Sequence, residues 1–275
     1  MIERTLEEIA KMLGGEISNP KYSKTKIKGI SIDSRTIKKD NLYIPIVGEK
    51  FDGRIFIEEC ENSGAVAFLI DENYKIPKSI SIPFVKVSDT KKALQDLARA
   101  YRQELDIKII AITGSNGKTT SKNLIHSVLS EKYKVEKTQG NLNNEIGVPL
   151  TLLDFSDKTQ IGVVEMGTED FGEISLLTNI AKPDMAMITN IGDAHLLKLK
   201  SREGIAKAKL EILEGLKADG TFIYNGDDEI LKKVLPSYTI KQKTISFGEE
   251  DGVDFKVCPK EFSSTYTCLL YTSPS

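Results

Sequence analysis

Thr113-Gly114-Ser115-Asn116-Gly117-Lys118-Thr119-Thr120 is the stretch whose residue types and spacing point most directly to chemistry. Glycines at 114 and 117 let the backbone wrap closely around an anion with successive N–H groups aimed at it. Lys118 adds a point charge for outer phosphates, and Thr119 puts a hydroxyl where a nucleotide-bound magnesium takes a ligand. The common phosphate loop has four residues between its first glycine and the Gly-Lys pair. Here only Ser115 and Asn116 intervene. An ordinary glycine turn ahead of a helix is the plain alternative. The lysine and two threonines after an apolar strand favour nucleotide binding through Gly114, Ser115, Asn116, Gly117, Lys118, Thr119 and Thr120.

Other chemistry-bearing residues fall at expected strand ends. Glu165 closes the apolar run 161–164 and is a natural magnesium ligand beside such a loop. Asn141, Asn143 and Asn144 crowd a segment, 138–151, that reads as a long polar loop able to touch ligand or metal-bound water. His195 follows the apolar strand 185–191 and could ligate a metal or orient a substrate, although a lone histidine is more often structural. His126, in mid-helix, reads as a packing or surface residue. Lys207 and Lys209 point in different directions from one helix, so one can face a site while the other is solvated. In Asp33-Ser34-Arg35, a hydroxyl and a guanidinium at a strand end could hold a phosphate or uracil, the alternative being a solvated turn.

The elements that must position these groups follow from periodicity. Helices are expected over 2–13, 56–63, 89–105, 121–130, 201–217 and 229–235. Strands are expected over 27–32, 41–47, 65–70, 82–87, 133–137, 161–164, 185–191, 221–224 and 244–247, with the strand of the phosphate loop beginning at Ile109. The alternation predicts an α/β protein: a small amino-terminal α/β domain over 1–86, then a mostly parallel sheet with helices on both faces over 87–261. From Phe262 the chain carries no charge, against 28% charged residues overall, so 262–275 read as a foreign or disordered tail. The net charge of -2 gives no electrostatic case for nucleic acid. No apolar run approaches a membrane span, the first residues lack a secretory pattern, and Cys60, Cys258 and Cys268 suggest neither disulfides nor zinc. A cytoplasmic protein is the expectation.

Four stretches together resemble the Mur ligases, the ATP-dependent amino-acid ligases of peptidoglycan synthesis: Thr113–Thr120, Gly140-Asn-Leu-Asn-Asn-Glu-Ile-Gly-Val-Pro149, Glu165-Met-Gly-Thr168 and Thr189-Asn-Ile-Gly-Asp-Ala-His-Leu196. The segment 203–212 adds to them. The resemblance implies a monomer that uses ATP and Mg2+ to join D-alanyl-D-alanine to UDP-N-acetylmuramoyl-tripeptide. It implies Lys118 and the loop amides on the outer phosphates, with Thr119, Glu165 and His195 at magnesium. Lys209 matches a lysine that is carbamylated in relatives, which gives it a metal-ligand and catalytic role beside Lys118 and His195. Asn144 would lie near the terminal phosphate, Asn225 and Asp227 near adenine and ribose, and Ser34, Arg35 and Asp52 at the UDP-sugar. Arg54 stands where the family usually has histidine, and the 195–201 stretch lacks the family's usual acidic residue and glycine. The family's carboxy-terminal domain is expected to be absent, leaving the chain alone a poor ligase. Another Mur-type or folylpolyglutamate-type ligase, or a non-catalytic nucleotide-binding protein, are the alternatives.

Overall fold

The computed structural model describes residues 1–48, 51–262 and 267–272. The chain divides into two units. Unit 1 comprises 1–106 with 149–159, and unit 2 comprises 107–148 with 160–275.

Unit 1 holds strands β1 (Glu3–Thr5), β2 (Glu16–Ile17), β3 (Lys26–Lys28), β4 (Ile30–Ser31), β5 (Leu42–Tyr43), β6 (Ala67–Asp71) and β7 (Phe84–Val87). Its helices are α1 (Leu6–Leu13), α2 (Ile57–Asn62) and α3 (Thr90–Glu104). A five-stranded sheet runs β2-β7-β6-β5-β4, and β1 pairs separately with β3. The single strand expected over 27–32 is therefore two. Gly29 at φ +80 breaks it, sending Ile27 to one sheet and Ile30 to the other. The core packs Tyr43, Ile57, Cys60, Phe68 and Ile70, with the Tyr43 hydroxyl donating to the Gly53 carbonyl at 2.8 Å.

α3 corrects the domain boundary. Its stripe of Leu94, Leu97, Ala98 and Tyr101 is buried, and the Tyr101 hydroxyl donates to the Phe155 carbonyl at 2.9 Å. Both residues lie in unit 1, so the division falls after Asp106 and not at 86. Asp89 caps α3 by accepting from the Lys92 amide, as expected of an aspartate ahead of an apolar stripe.

Unit 2 is built on β8 (Lys108–Thr113), β9 (Val135–Lys137), β10 (Ile161–Glu165), β11 (Met185–Ile188), β12 (Thr221–Asn225), β13 (Lys243–Gly248), β14 (Phe255–Phe262) and β15 (Thr267–Thr272). The sheet order is β15-β14-β13-β12-β11-β8-β10-β9. Seven strands are parallel and β15 is antiparallel to β14. Helices α4 (Lys118–Ser130), α5 (Gly147–Asp154), α6 (Glu173–Ala181), α7 (Leu196–Leu199), α8 (Arg202–Leu210), α9 (Ile212–Gly215) and α10 (Glu229–Val234) complete the chain. This is the expected mostly parallel sheet flanked by helices. β8 lies between β10 and β11, where the strand order reverses, and such a switch point opens a crevice off the carboxyl ends of the strands.

Three expectations change here. α5 replaces the end of the predicted 138–151 loop from Gly147. Asn144 accepts from the amides of Ile146 and Gly147, and Pro149 falls in the first turn, where no N–H is needed. The helix expected over 201–217 breaks at Glu211, whose carboxylate accepts from the amides of Gly172 and Ser175 and so caps α6 from outside it. Residues Thr267–Thr272 pair with β14 as a strand and do not run as a loose tail; 263–266 and 273–275 lie outside the described residues.

Candidate functional site

A polar cavity of about 540 Å³ opens off the carboxyl ends of β8, β10 and β11. Gly114, Ser115, Lys118, Asn143, Asn144, Gly167, His195 and Lys209 are among its walls.

The phosphate loop is stapled to the segment after β11. The Ser115 amide donates to the Asn190 carbonyl and the Asn116 amide to Asn190 Oδ1, each at 3.0 Å. Thr189 Oγ1 donates to the Asn116 carbonyl at 2.6 Å, and Ser115 Oγ to the Gly192 carbonyl at 3.0 Å. The loop amides expected at phosphate thus include two, those of Ser115 and Asn116, that are engaged by Asn190. The first-turn amides of α4, by contrast, are left open. Gly117 is its N-cap, no side chain caps it, and the amides of Lys118, Thr119 and Thr120 are positioned for an anion.

Lys118 Nζ lies 2.7 Å from the Gly114 carbonyl, over the loop's own oxygens. Burial lowers its pKa, with Glu165 opposing. Lys209 is buried on α8 and faces the cavity, while Lys207 is exposed, the division expected from their spacing. Burial, then the charge of Lys118, bring the Lys209 amine down to about 8 from 10.5. The sign is set by the depressed value. Below about 8 the amine is charged and its burial opposes folding; above it the amine is neutral and that cost fades, while an ordinary lysine stays charged to about 10.5. With labelled bicarbonate, a single lysine carbamate is expected, growing through a midpoint near about 8 and lost in Lys209→Arg. Carbon-13 NMR reads this directly, and a signal that persists in the variant would place the reactive amine elsewhere.

Glu165 is 2% exposed and sits behind the cavity wall. Its Oε2 accepts from Thr119 Oγ1 at 3.0 Å and pairs with Lys122 Nζ at 3.0 Å; its Oε1 accepts from Asn143 Nδ2 at 2.9 Å. Burial pushes the carboxyl up, but hydrogen bonds from Asn143, Lys122 and Thr119 prevail and hold it below its ordinary value. Thr119 and Glu165 thus meet as expected. A hydroxyl beside an ionised carboxylate suits magnesium, which takes few protein oxygens and completes its shell with water and phosphate. His195 lines the cavity in a left-handed conformation (φ 54) at the start of α7. It forms no ready cluster with Glu165: among the described residues no three His, Cys, Asp or Glu side chains gather as a metal set.

Within unit 2, Asn225 and Asp227 are not among the residues lining this cavity. Asn225 Oδ1 accepts from the Asp227 amide, and the Asp227 carboxylate accepts from the amides of Glu249 and Glu250. These contacts shape the turn after β12, beside a second cavity of about 450 Å³ lined by Tyr224, Gly226, Lys232 and Ser246. In unit 1, Arg35 forks onto Asp33 and holds that carboxyl down at about 2. Ser34 opens the same turn. Asp52 is tied to Arg54, which also reaches Asp71 at 2.9 Å and lies over the Tyr74 ring. The arginine in the usual histidine position is thus a link between two carboxylates.

Lys122, and the stapling contacts of Thr189 and Asn190, are not legible in the sequence. A lysine in a polar helix reads as solvated, and the two stapling residues act across 73 or more positions of sequence. Cys60 and Cys258 are free thiols, and among the described residues no helix is long and apolar enough to cross a membrane.

Residues 112–270 match the Mur ligase middle domain, and residues 26–102 match the Mur ligase family catalytic domain. The chain belongs to the Mur ligase family. It is 48% identical over 248 residues to the UDP-N-acetylmuramoyl-tripeptide–D-alanyl-D-alanine ligase of Bacillus subtilis, covering 90% of this chain and 53% of that protein. It is 35% identical over 228 residues to the enzyme of that name from Escherichia coli, covering 83% of this chain and 49% of that one. The chain spans about half the length of the curated relatives it matches. Among solved structures it is similar to MurF from Acinetobacter baumannii, with a TM-score of 0.88 at 31% identity, covering 100% of this chain and 59% of that one. It is also similar to MurF ligase from Thermotoga maritima in complex with ADP, with a TM-score of 0.77 at 30% identity, over 90% and 56% of the two chains.

Proposed function

We propose that this chain serves the ligase reaction named for its relatives, joining D-alanyl-D-alanine to UDP-N-acetylmuramoyl-tripeptide at the expense of ATP. The observation that carries the reading is the meeting of Lys118, Lys209 and the uncapped start of α4 at one polar cavity. A buried and a half-buried lysine with a row of amides favour a polyphosphate.

A carboxylate is a poor electrophile. In this reading its oxygen takes the terminal phosphoryl group of ATP, ADP leaves, and the acyl carbon becomes open to attack. The amine of D-alanyl-D-alanine then adds, loses its proton, and phosphate departs as the amide forms. The chain's share is positioning and charge. The α4 amides and Lys118 hold the outer phosphates, with Asn144 beside the terminal one. Thr119 and Glu165 would hold Mg2+, and His195 and a carbamylated Lys209 would be the further ligands the cavity offers. Bound there, the ion would supply Lewis-acid neutralisation of phosphate charge. Asn225 and Asp227 border the nucleoside. Unit 1 takes the UDP-sugar through Ser34, Arg35 and Asp52, and unit 2 is the ATP domain. The chain acts as a monomer in the cytoplasm.

The test is a nucleotide ladder. With excess Mg2+, calorimetry should show affinity falling by at least about tenfold from ADP to AMP, since the cavity chiefly recognises the phosphate chain. Equal affinities for ADP, AMP and adenosine would put recognition outside the phosphate loop and sink the assignment.

A further inference from the structure

Lys122 is a buried cation that this mechanism leaves unused. It lies one turn beyond Lys118 on the same face of α4 and is 2% exposed. Its Nζ is 3.0 Å from Glu165 Oε2 and 3.0 Å from the Gly140 carbonyl. It therefore ties three separate segments: the start of α4, the asparagine loop and the end of β10. The tie continues through the loop. Asn143 donates to the other oxygen of Glu165 and accepts at its own carbonyl from the Gly167 amide at 2.8 Å. Stability alone is a weak reason for such a pair, because well-packed apolar residues of similar volume serve a core as well or better.

Charge gives a better reason. A lone Glu165 carboxylate beside the Thr119 hydroxyl would attract a divalent cation whether or not nucleotide were present. Lys122 pairs with that carboxylate at 3.0 Å, and Lys118 adds a further positive group at a cavity whose wall also carries Glu145, Glu169 and Glu173. We propose that Lys122 is a positioning residue: it fixes Glu165 and the asparagine loop against the phosphate loop, and makes firm metal binding depend on the negative charge of a bound nucleotide. The inference rests on the nucleotide-binding reading above. Metal then enters with the polyphosphate, because Glu165, already paired with Lys122 and Asn143, holds a free cation weakly.

The experiment measures binding of Mn2+ alone by electron paramagnetic resonance, and of ADP with and without Mg2+ by calorimetry. It compares the full chain with Lys122→Met, Glu165→Gln and the double variant. Mn2+ alone should bind Lys122→Met at least about tenfold tighter than the parent, an effect of removing a unit charge at contact distance. The Mg2+ enhancement of ADP binding should shrink in the same variant. The double variant leaves no unpaired buried charge and is the safeguard if the single variant fails to fold. If Lys122 acts through Glu165, the double variant should match Glu165→Gln in both measurements; losses that simply add would mean that Lys122 acts elsewhere. A folded Lys122→Met with the parent's Mn2+ and MgADP affinities would overturn the proposal while leaving the nucleotide site intact. A parent chain that binds no nucleotide would overturn the reading beneath it, and this inference with it.

Discussion

Lys118→Ala should weaken MgADP binding by at least about 100-fold, on the order of 3 kcal/mol, because a partly desolvated cation facing phosphate acts at an effective dielectric well below that of water. Burial already lowers the Lys118 pKa, so the amine gains from an anionic partner what it lost on leaving water. Its Nζ is held over the Gly114 and Ser115 carbonyls, which leaves little side-chain entropy to lose on binding. The loss should be much smaller for adenosine, which has no phosphate to meet the amine. Calorimetry on the two ligands separates the effects. An ADP affinity within about threefold of the parent would show that the loop's lysine does not face the phosphates, contrary to the electrostatic argument.

Gly114→Ala should destabilise the fold by about 2–4 kcal/mol, the range for overpacking combined with a broken hydrogen-bond network. A Cβ at Gly114 would lie 1.9 Å from Thr189 Oγ1 and 3.3 Å from the Thr189 amide, with φ at +153. Thr189 cannot yield cheaply, because its hydroxyl holds the Asn116 carbonyl at 2.6 Å. Displacing it unpicks the staple between the phosphate loop and the segment after β11. MgADP affinity should therefore fall together with the unfolding midpoint in urea. Adding Thr189→Ala removes the colliding oxygen and should return part of the lost stability. A Gly114→Ala chain as stable as the parent, or a double variant no better than the single, would contradict this account of the loop.

Local sequence showed what this site is made from, but not how it is fastened. The strand of β8, the short phosphate loop, Glu165 at a strand end and the opposite fates of Lys207 and Lys209 all follow from residue type and period. α5 was hidden because Asn144 and Pro149 look like loop residues until one caps the helix and the other enters its first turn. The break at Glu211 was hidden because its cause, the two α6 amides that its carboxylate caps, is 36 and 39 residues away. The same applies to Gly29: a strand-like pattern continues through it, while the partners on either side belong to different sheets. Lys122 is the sharpest case. Its polarity suggests solvent, and only the approach of β10 and the asparagine loop buries it.

The account's central claim is that this Mur family chain recognises the muramoyl-peptide substrate of its relatives. Calorimetric titration with UDP-N-acetylmuramoyl-tripeptide, beside UDP alone, tests that most directly. The expected result is saturable binding clearly tighter than that of UDP, showing recognition of the sugar and peptide. A folded chain that binds the two ligands equally, or neither, would contradict the assignment of unit 1 and with it the proposed reaction.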